Sequence, residues 1–145
     1  FSRRPKFIAG VRCFTELEPM VSACDALVCL LPLTRETRGI LSRRVFSSMK
    51  AGGCLINVAR GAHLVTADLL AALDSGQLAH AYLDVFEREP LPADDPLWHH
   101  PGVTLTPHIA ALTEPRTALA KLVANIERVR LGQTPTDLVD FGAGY

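Results

Sequence analysis

The sequence predicts an α/β fold built on a parallel sheet, and three observations carry that reading. Short apolar runs alternate with amphipathic helical patterns along the chain. The runs are nearly continuous, as in strands buried on both faces, and do not alternate polar with apolar. Arginine, aspartate and histidine follow different runs, and in a parallel sheet the carboxyl ends of the strands form one edge.

The strands are taken in order. "DALVCLLP" (25–32) ends at a proline, and "GGCLINVARG" (52–61) is bounded by glycines. "AHAYLDVF" (79–86) and "GVTLTPH" (102–108) complete the set. Four helices are expected beside them. "TELEPMVSAC" (15–24) opens with a Thr-x-x-Glu capping box from Thr15 to Glu18, weakened by Pro19. "SRRVFSSM" (42–49) is short. "TADLLAALDSG" (66–76) has Thr66 as N-cap candidate, Leu69, Leu70 and Leu73 on one face, and Gly76 as C-cap. The longest, 114–132, repeats Leu119, Leu122, Val123, Ile126 and Val129 at three- and four-residue steps. The final stretch, "TPTDLVDFGAGY", has no periodicity and is expected to be extended.

Composition narrows the function classes. The chain has 145 residues, 48% hydrophobic, with 15 basic and 15 acidic side chains, which suits one compact domain without a nucleic-acid footprint. No apolar run approaches the roughly 18 residues that span a bilayer, and nothing at the N-terminus reads as a signal peptide. Neither a membrane nor a nucleic acid is expected as a partner. The four cysteines, at 13, 24, 29 and 54, form no CxxC pair and read as buried reduced thiols of a cytoplasmic protein. Clustered Cys and His with ligand spacing are missing, so no metal is expected. The opening "FSRRPKF", with no initiator methionine, reads as a cut inside a longer protein.

"TLTPHIAA" (104–111) places His108 where a strand ends. By sequence pattern alone it is a satisfied strand-end histidine or a proton donor at the sheet edge. Imidazole titrates near neutral pH, where proton transfer is most efficient. Arg60 in "NVARG" follows another strand, and a guanidinium grips a carboxylate through two parallel hydrogen bonds. His63, His80, His99 and His100 read as core or solvated histidines, with 99–100 in a polar loop.

Those stretches carry a family resemblance. "LLPLTRETRGIL", "GGCLINVARGAHLV", "LLAALDSGQLAHAYLDVFEREPLPADDPLW" and "HPGVTLTPHIAA" resemble, in order and spacing, the C-terminal signatures of the D-isomer-specific 2-hydroxyacid dehydrogenases. "ARGAHLV", "EREPLP" and "PLWHHP" are most similar to the glyoxylate/hydroxypyruvate reductase branch. The family's G-x-G-x-x-G fingerprint and its substrate domain are absent. The resemblance therefore implies the second half of a doubly wound, Rossmann-type parallel sheet with flanking helices and a long C-terminal helix. Residues 1–112 would be a partial dinucleotide-binding domain lacking its first βαβ unit. Residues 113–145 would be a helix and tail packing partly on a substrate domain.

By the same resemblance, Arg60, Glu89 and His108 are the catalytic set, with Glu89 orienting His108 and Glu87 as its close competitor. The cofactor contacts implied are Leu31 and Pro32 under the adenine, Thr37 as a backbone or phosphate contact, and Val58 and Ala59 near the nicotinamide. Arg60, Asp84, His108 and Ala110 join them on the nicotinamide side. Asp84 otherwise reads as a cap for the following loop. Ser2, Arg3 and Arg4, with no acid before Glu16, suit a 2′-phosphate, so NADPH is expected over NADH. Trp98 reads as a wall of the substrate side, a subunit contact or a loop anchor. The activity implied is reduction of a small 2-oxoacid such as glyoxylate or hydroxypyruvate by a cytoplasmic homodimer, with this segment inactive alone. An NAD-linked dehydrogenase of another D-2-hydroxyacid, and a nucleotide-sensing interaction protein on the same fold, are the alternatives.

Overall fold

The computed structural model of the protein describes residues 1–2, 4–111 and 114–142. Four strands form one sheet: β1 Ala26–Cys29, β2 Gly53–Asn57, β3 Leu78–Leu83 and β4 Val103–Leu105. All neighbours are parallel and the spatial order is β1-β2-β3-β4, so the chain winds in one direction across the sheet. Helices α1 Leu17–Val21, α2 Arg43–Ser48 and α3 Thr66–Asp74 are interleaved with the strands, and α4 Pro115–Arg130 follows them. Each of the eight expected elements is present. Among the described residues the C-terminal stretch, 134–142, forms no strand. It runs back along α4, where Asn125, Arg128 and Lys121 bond to Thr136, Thr134 and Asp137.

Register decides what is buried. The rows Leu27–Leu55–Ala81 and Cys29–Asn57–Leu83 face the helices and are buried. They meet Val21, Val45, Phe46, Leu69 and Leu73 in one core. Fully burying a side chain such as Leu55 or Leu69 contributes about 1.5–3 kcal/mol. The intervening row Val28–Ile56–Tyr82–Thr104 lies on the other face, where Val28 is 48% and Tyr82 46% exposed. The expectation of strands buried on both faces is thus corrected. Among the described residues no helix covers this second face.

Other local expectations are corrected too. The first helix begins at Leu17 with Glu16 at its N-cap, so Thr15 and Glu18 form no capping box. Val65 is the N-cap of α3 and Thr66 its first helical residue; Ser75 is the C-cap, and Gly76 follows in the left-handed region. Of the four free cysteines only Cys29 is buried; Cys24 and Cys54 are half-buried and Cys13 is exposed. His100 is not solvated: its Nδ1 accepts from the Gly102 amide at 3.0 Å, and its Nε2 lies 3.2 Å from an Asp74 carboxylate oxygen. The apolar stripe of α4 is 44–58% exposed from Leu119 to Val129.

Among the described residues no helix is long and apolar enough to cross a membrane, and no group of His, Cys, Asp and Glu is arranged to hold a metal.

Candidate active site

The sheet edge is assembled from three segments that leave β2, β3 and β4. After β2 the buried Asn57 shapes the turn. Its Oδ1 accepts from the Ala59 amide at 3.2 Å and its Nδ2 donates to the Arg60 carbonyl at 3.1 Å. The turn sends Arg60 outward, with its Nη1 donating to the Ala59 carbonyl at 2.6 Å. Ala59 is buried and Val58 half-buried, so little side-chain bulk stands beside the arginine.

Asp84, just past β3, is 3% exposed. Its Oδ1 accepts from the Thr106 hydroxyl at 2.5 Å and the Ile109 amide at 2.9 Å; its Oδ2 accepts from the Ala110 amide at 2.9 Å. One carboxylate therefore clamps the loop that carries His108. That loop needs a clamp, because His108 sits at φ 56°, a left-handed conformation that costs a non-glycine residue free energy. Burial pushes the Asp84 carboxyl up, but the bonds from Thr106, Ala110 and Ile109, with the His108 charge, outweigh it and hold it below the usual range. The cap expected for the loop directly after β3 is not what the Asp84 carboxylate makes: its bonds go to the loop after β4 instead. The Ala110 backbone is part of the same clamp.

Asp84→Asn is expected to loosen this loop. An amide NH2 would face a backbone N–H, leaving a donor without an acceptor at a cost of roughly 1–3 kcal/mol. A urea midpoint unchanged from wild type would contradict the clamp. The linkage has a definite sign. Because the folded value is depressed, the stabilisation is present above the unfolded carboxyl value near about 3.9 and is lost as pH falls through the folded value.

His108 Nδ1 lies 2.8 Å from Glu89 Oε2, while Glu89 Oε1 accepts from the Phe86 amide at 2.9 Å. The bond from His108, then that from Phe86, hold the Glu89 carboxyl below its ordinary range, with the charges of His108 and Arg60 adding to the effect. Glu87 is engaged elsewhere, 3.7 Å from Arg38. With Nδ1 on Glu89, Nε2 is the nitrogen left to face a ligand. Beside it opens a cleft of about 610 Å³ whose apolar wall includes Phe86, Leu91, Trp98 and Leu105. Trp98 Nε1 donates to the Pro92 carbonyl at 2.8 Å, which anchors its loop and fixes the indole as a wall of this cleft.

A second cleft, of about 300 Å³, lies beside the end of β1 and is lined by Phe1, Leu30 and Leu31 among others. Of the pair expected as an apolar shelf, Leu31 lines this cleft, while Pro32 is exposed and not part of its lining. Thr37 serves this loop: its hydroxyl donates to the Pro32 carbonyl at 2.7 Å and accepts from the Thr34 amide at 2.8 Å. Ser2 is half-buried, its amide donating to the Phe14 carbonyl at 3.0 Å, and Arg4 is exposed. Arg3 lies outside the described residues. Sequence reasoning missed the buried Asn57 and Gly61. An asparagine closing an apolar strand was the available signal for the first.

Fold and site together define a nucleotide-binding type of α/β sheet that presents an arginine and a carboxylate–imidazole pair at one edge. The chain belongs to the D-isomer specific 2-hydroxyacid dehydrogenase family, and the model of its NAD binding domain matches residues 2–110. The chain is 51% identical, over 148 aligned positions, to glyoxylate/hydroxypyruvate reductase A of Serratia proteamaculans (strain 568). That match covers 100% of this chain and 47% of the relative, so the chain spans about half the length of the curated relatives it matches. Solved structures agree. A D-isomer specific 2-hydroxyacid dehydrogenase from Xanthobacter autotrophicus Py2, in complex with NADPH and MES, superposes with a TM-score of 0.94 at 44% identity, covering 99% of this chain and 61% of that one. The NADPH-dependent glyoxylate/hydroxypyruvate reductase of Sinorhizobium meliloti, in complex with NADP and sulfate, gives 0.92 at 40% identity over 99% of this chain and 48% of that one.

Proposed function

We propose that residues 1–112 form the cofactor-binding and acid-bearing part of an NADPH-dependent reductase that converts glyoxylate or hydroxypyruvate to the 2-hydroxyacid. Residues 113–145 supply a helix and tail whose exposed apolar stripe suits packing on a substrate domain. The observation that carries the reading is the 2.8 Å bond between Glu89 and His108, made at the sheet edge that also presents Arg60. The residues fit a dinucleotide. The apolar cleft at Leu31 suits an adenine, Val58 and Ala59 leave room for a nicotinamide, and Ser2, Arg3 and Arg4 suit a 2′-phosphate.

The chemistry divides among the chain's own groups. A bound dihydronicotinamide supplies the hydride that reduces the carbonyl carbon. Arg60 binds the substrate carboxylate and draws electron density from the carbonyl. His108 Nε2 gives its proton to the carbonyl oxygen as negative charge develops there. Glu89, on Nδ1, fixes the ring orientation and favours the imidazolium before transfer. The loop clamped by Asp84 holds that geometry.

Steady-state reduction of glyoxylate and hydroxypyruvate by the complete reductase, followed as NADPH oxidation, tests the reading; failure with both substrates overturns it. The 145 residues alone are expected to give no turnover. NADPH is expected to exceed NADH in kcat/KM by 10-fold or more, since charge-assisted phosphate contacts contribute roughly 1.5–3 kcal/mol each. Arg3→Ala with Arg4→Ala should erase the preference, and equal wild-type values for the two cofactors would defeat it. The reading also carries a homodimer, from the family resemblance, and a cytoplasmic location, from unpaired thiols. Light scattering and cell fractionation check these.

A further inference from the structure

His63 has no part in the chemistry above, yet it is 0% exposed and polar. It sits in the short 3-10 turn Gly61–His63, three residues after Arg60. Its ring lies between two backbone carbonyls. Nδ1 is 3.1 Å from the oxygen of Arg60, and Nε2 is 3.2 Å from the oxygen of Pro32. Those two carbonyls belong to segments that diverge after the paired ends of β1 and β2, where Cys29 stands beside Asn57.

Neither carbonyl needs the histidine to escape being orphaned. The Arg60 oxygen already accepts from Asn57 Nδ2 and from the His63 amide, and the Pro32 oxygen already accepts from the Thr37 hydroxyl. A leucine would fill such a buried site without the cost of desolvating an imidazole. What the imidazole adds is a rigid spacer with a nitrogen at each end. Both carbonyls are acceptors only, so whichever nitrogen carries the proton donates at its own end, and each tautomer of the ring serves one carbonyl.

We propose that His63 is a positioning residue, a buried bridge that ties the Arg60 backbone to the Pro32 backbone and so couples the carboxylate-binding arginine to the segment that follows Leu31 out of the apolar cleft. The proposal rests on the reductase reading for what each end serves. Its geometry stands apart from that reading.

Two conservative variants separate the ends. An asparagine side-chain nitrogen reaches the position of Nδ1, and a glutamine nitrogen the position of Nε2. In the complete reductase, His63→Gln loses the Arg60 end. It is expected to raise KM for glyoxylate roughly tenfold, the scale of one lost hydrogen bond, with NADPH affinity near wild type. His63→Asn loses the Pro32 end and is expected to do the reverse, weakening NADPH roughly tenfold and sparing the glyoxylate KM. A residue that merely fills the core would instead lower the thermal midpoint in both variants and move both constants alike, and that outcome overturns the bridge. Where the variants do not fold, long-range 1H–15N spectra of the wild-type ring decide. A proton found at both nitrogens, shared between the two tautomers, supports the bridge, and a single fixed tautomer serving one carbonyl alone overturns it. Should wild type reduce no 2-oxoacid, the reductase reading fails alone, because NADPH affinity of the His63→Asn variant and the ring spectrum still judge His63.

Discussion

In the complete reductase, His108→Gln is expected to lower kcat by roughly 10²–10⁴-fold, the usual scale of general acid catalysis. The fold should survive, because the His108 side chain is half exposed and outside the core. Glu89→Gln tests the partner. The bond from His108 is the largest cause holding the Glu89 carboxyl low, and by geometry a carboxylate oxygen 2.8 Å from an imidazole nitrogen favours a proton on that nitrogen. Glutamine removes the charge and leaves the proton less strongly held. The alkaline limb of kcat/KM for reduction should therefore move to lower pH. Profiles of wild type and Glu89→Gln, measured with all else fixed, check this. An unmoved limb would take Glu89 out of the role. Near-normal kcat in His108→Gln would return the histidine to one that merely ends a strand.

The parts of this site that were legible in the sequence are those set by chain direction. In a parallel sheet every strand delivers its next residues to the same edge, so Arg60, Asp84 and His108 were expected together from their places at the ends of apolar runs, whereas Glu89 was implied only by the family resemblance. The choice of Glu89 over Glu87 was open from the residues alone. The structure places Glu89 on His108 and Glu87 near Arg38. What stayed hidden depends on bonds to backbone atoms distant in sequence. Asp84 clamps amides 25 and 26 positions away. His63 spans 31 positions to reach the Pro32 carbonyl. Side-chain identity does not announce such partners, because any backbone N–H or C=O qualifies. The Thr15–Glu18 capping box failed for a related reason. A capping motif needs the helix to start at the right residue, and α1 starts at Leu17. Continuous apolar runs misled about the second sheet face because they report what a strand tolerates, whereas cover is set by elements elsewhere.

Gly61→Ala is expected to cause the largest loss of stability of any single-methyl change at this edge. Gly61 is buried and opens the 3-10 turn that follows Arg60. A Cβ there would overlap the carbonyl carbon and oxygen of Phe86 and the amide nitrogen of Glu87. All three are backbone atoms, so no rotamer change relieves the contact, and the two segments must separate. The Phe86 amide is also the group that donates to Glu89, so separation drags the carboxylate that holds His108. Overpacking typically costs 1–3 kcal/mol and occasionally more; with rigid backbone opposite, about 3 kcal/mol or more is expected. Folded molecules should still lose roughly 10²-fold in turnover, the scale of a misplacement near 1 Å. Gly52→Ala is the control. Gly52 has φ 75° but nothing within 4 Å of an added Cβ, so it carries only the left-handed penalty of about 1–2 kcal/mol. Chemical denaturation and turnover of both variants make the comparison. If Gly61→Ala loses no more stability than Gly52→Ala and keeps its turnover, the close approach of the Arg60 turn to the Phe86–Glu87 peptide is not what sets the site.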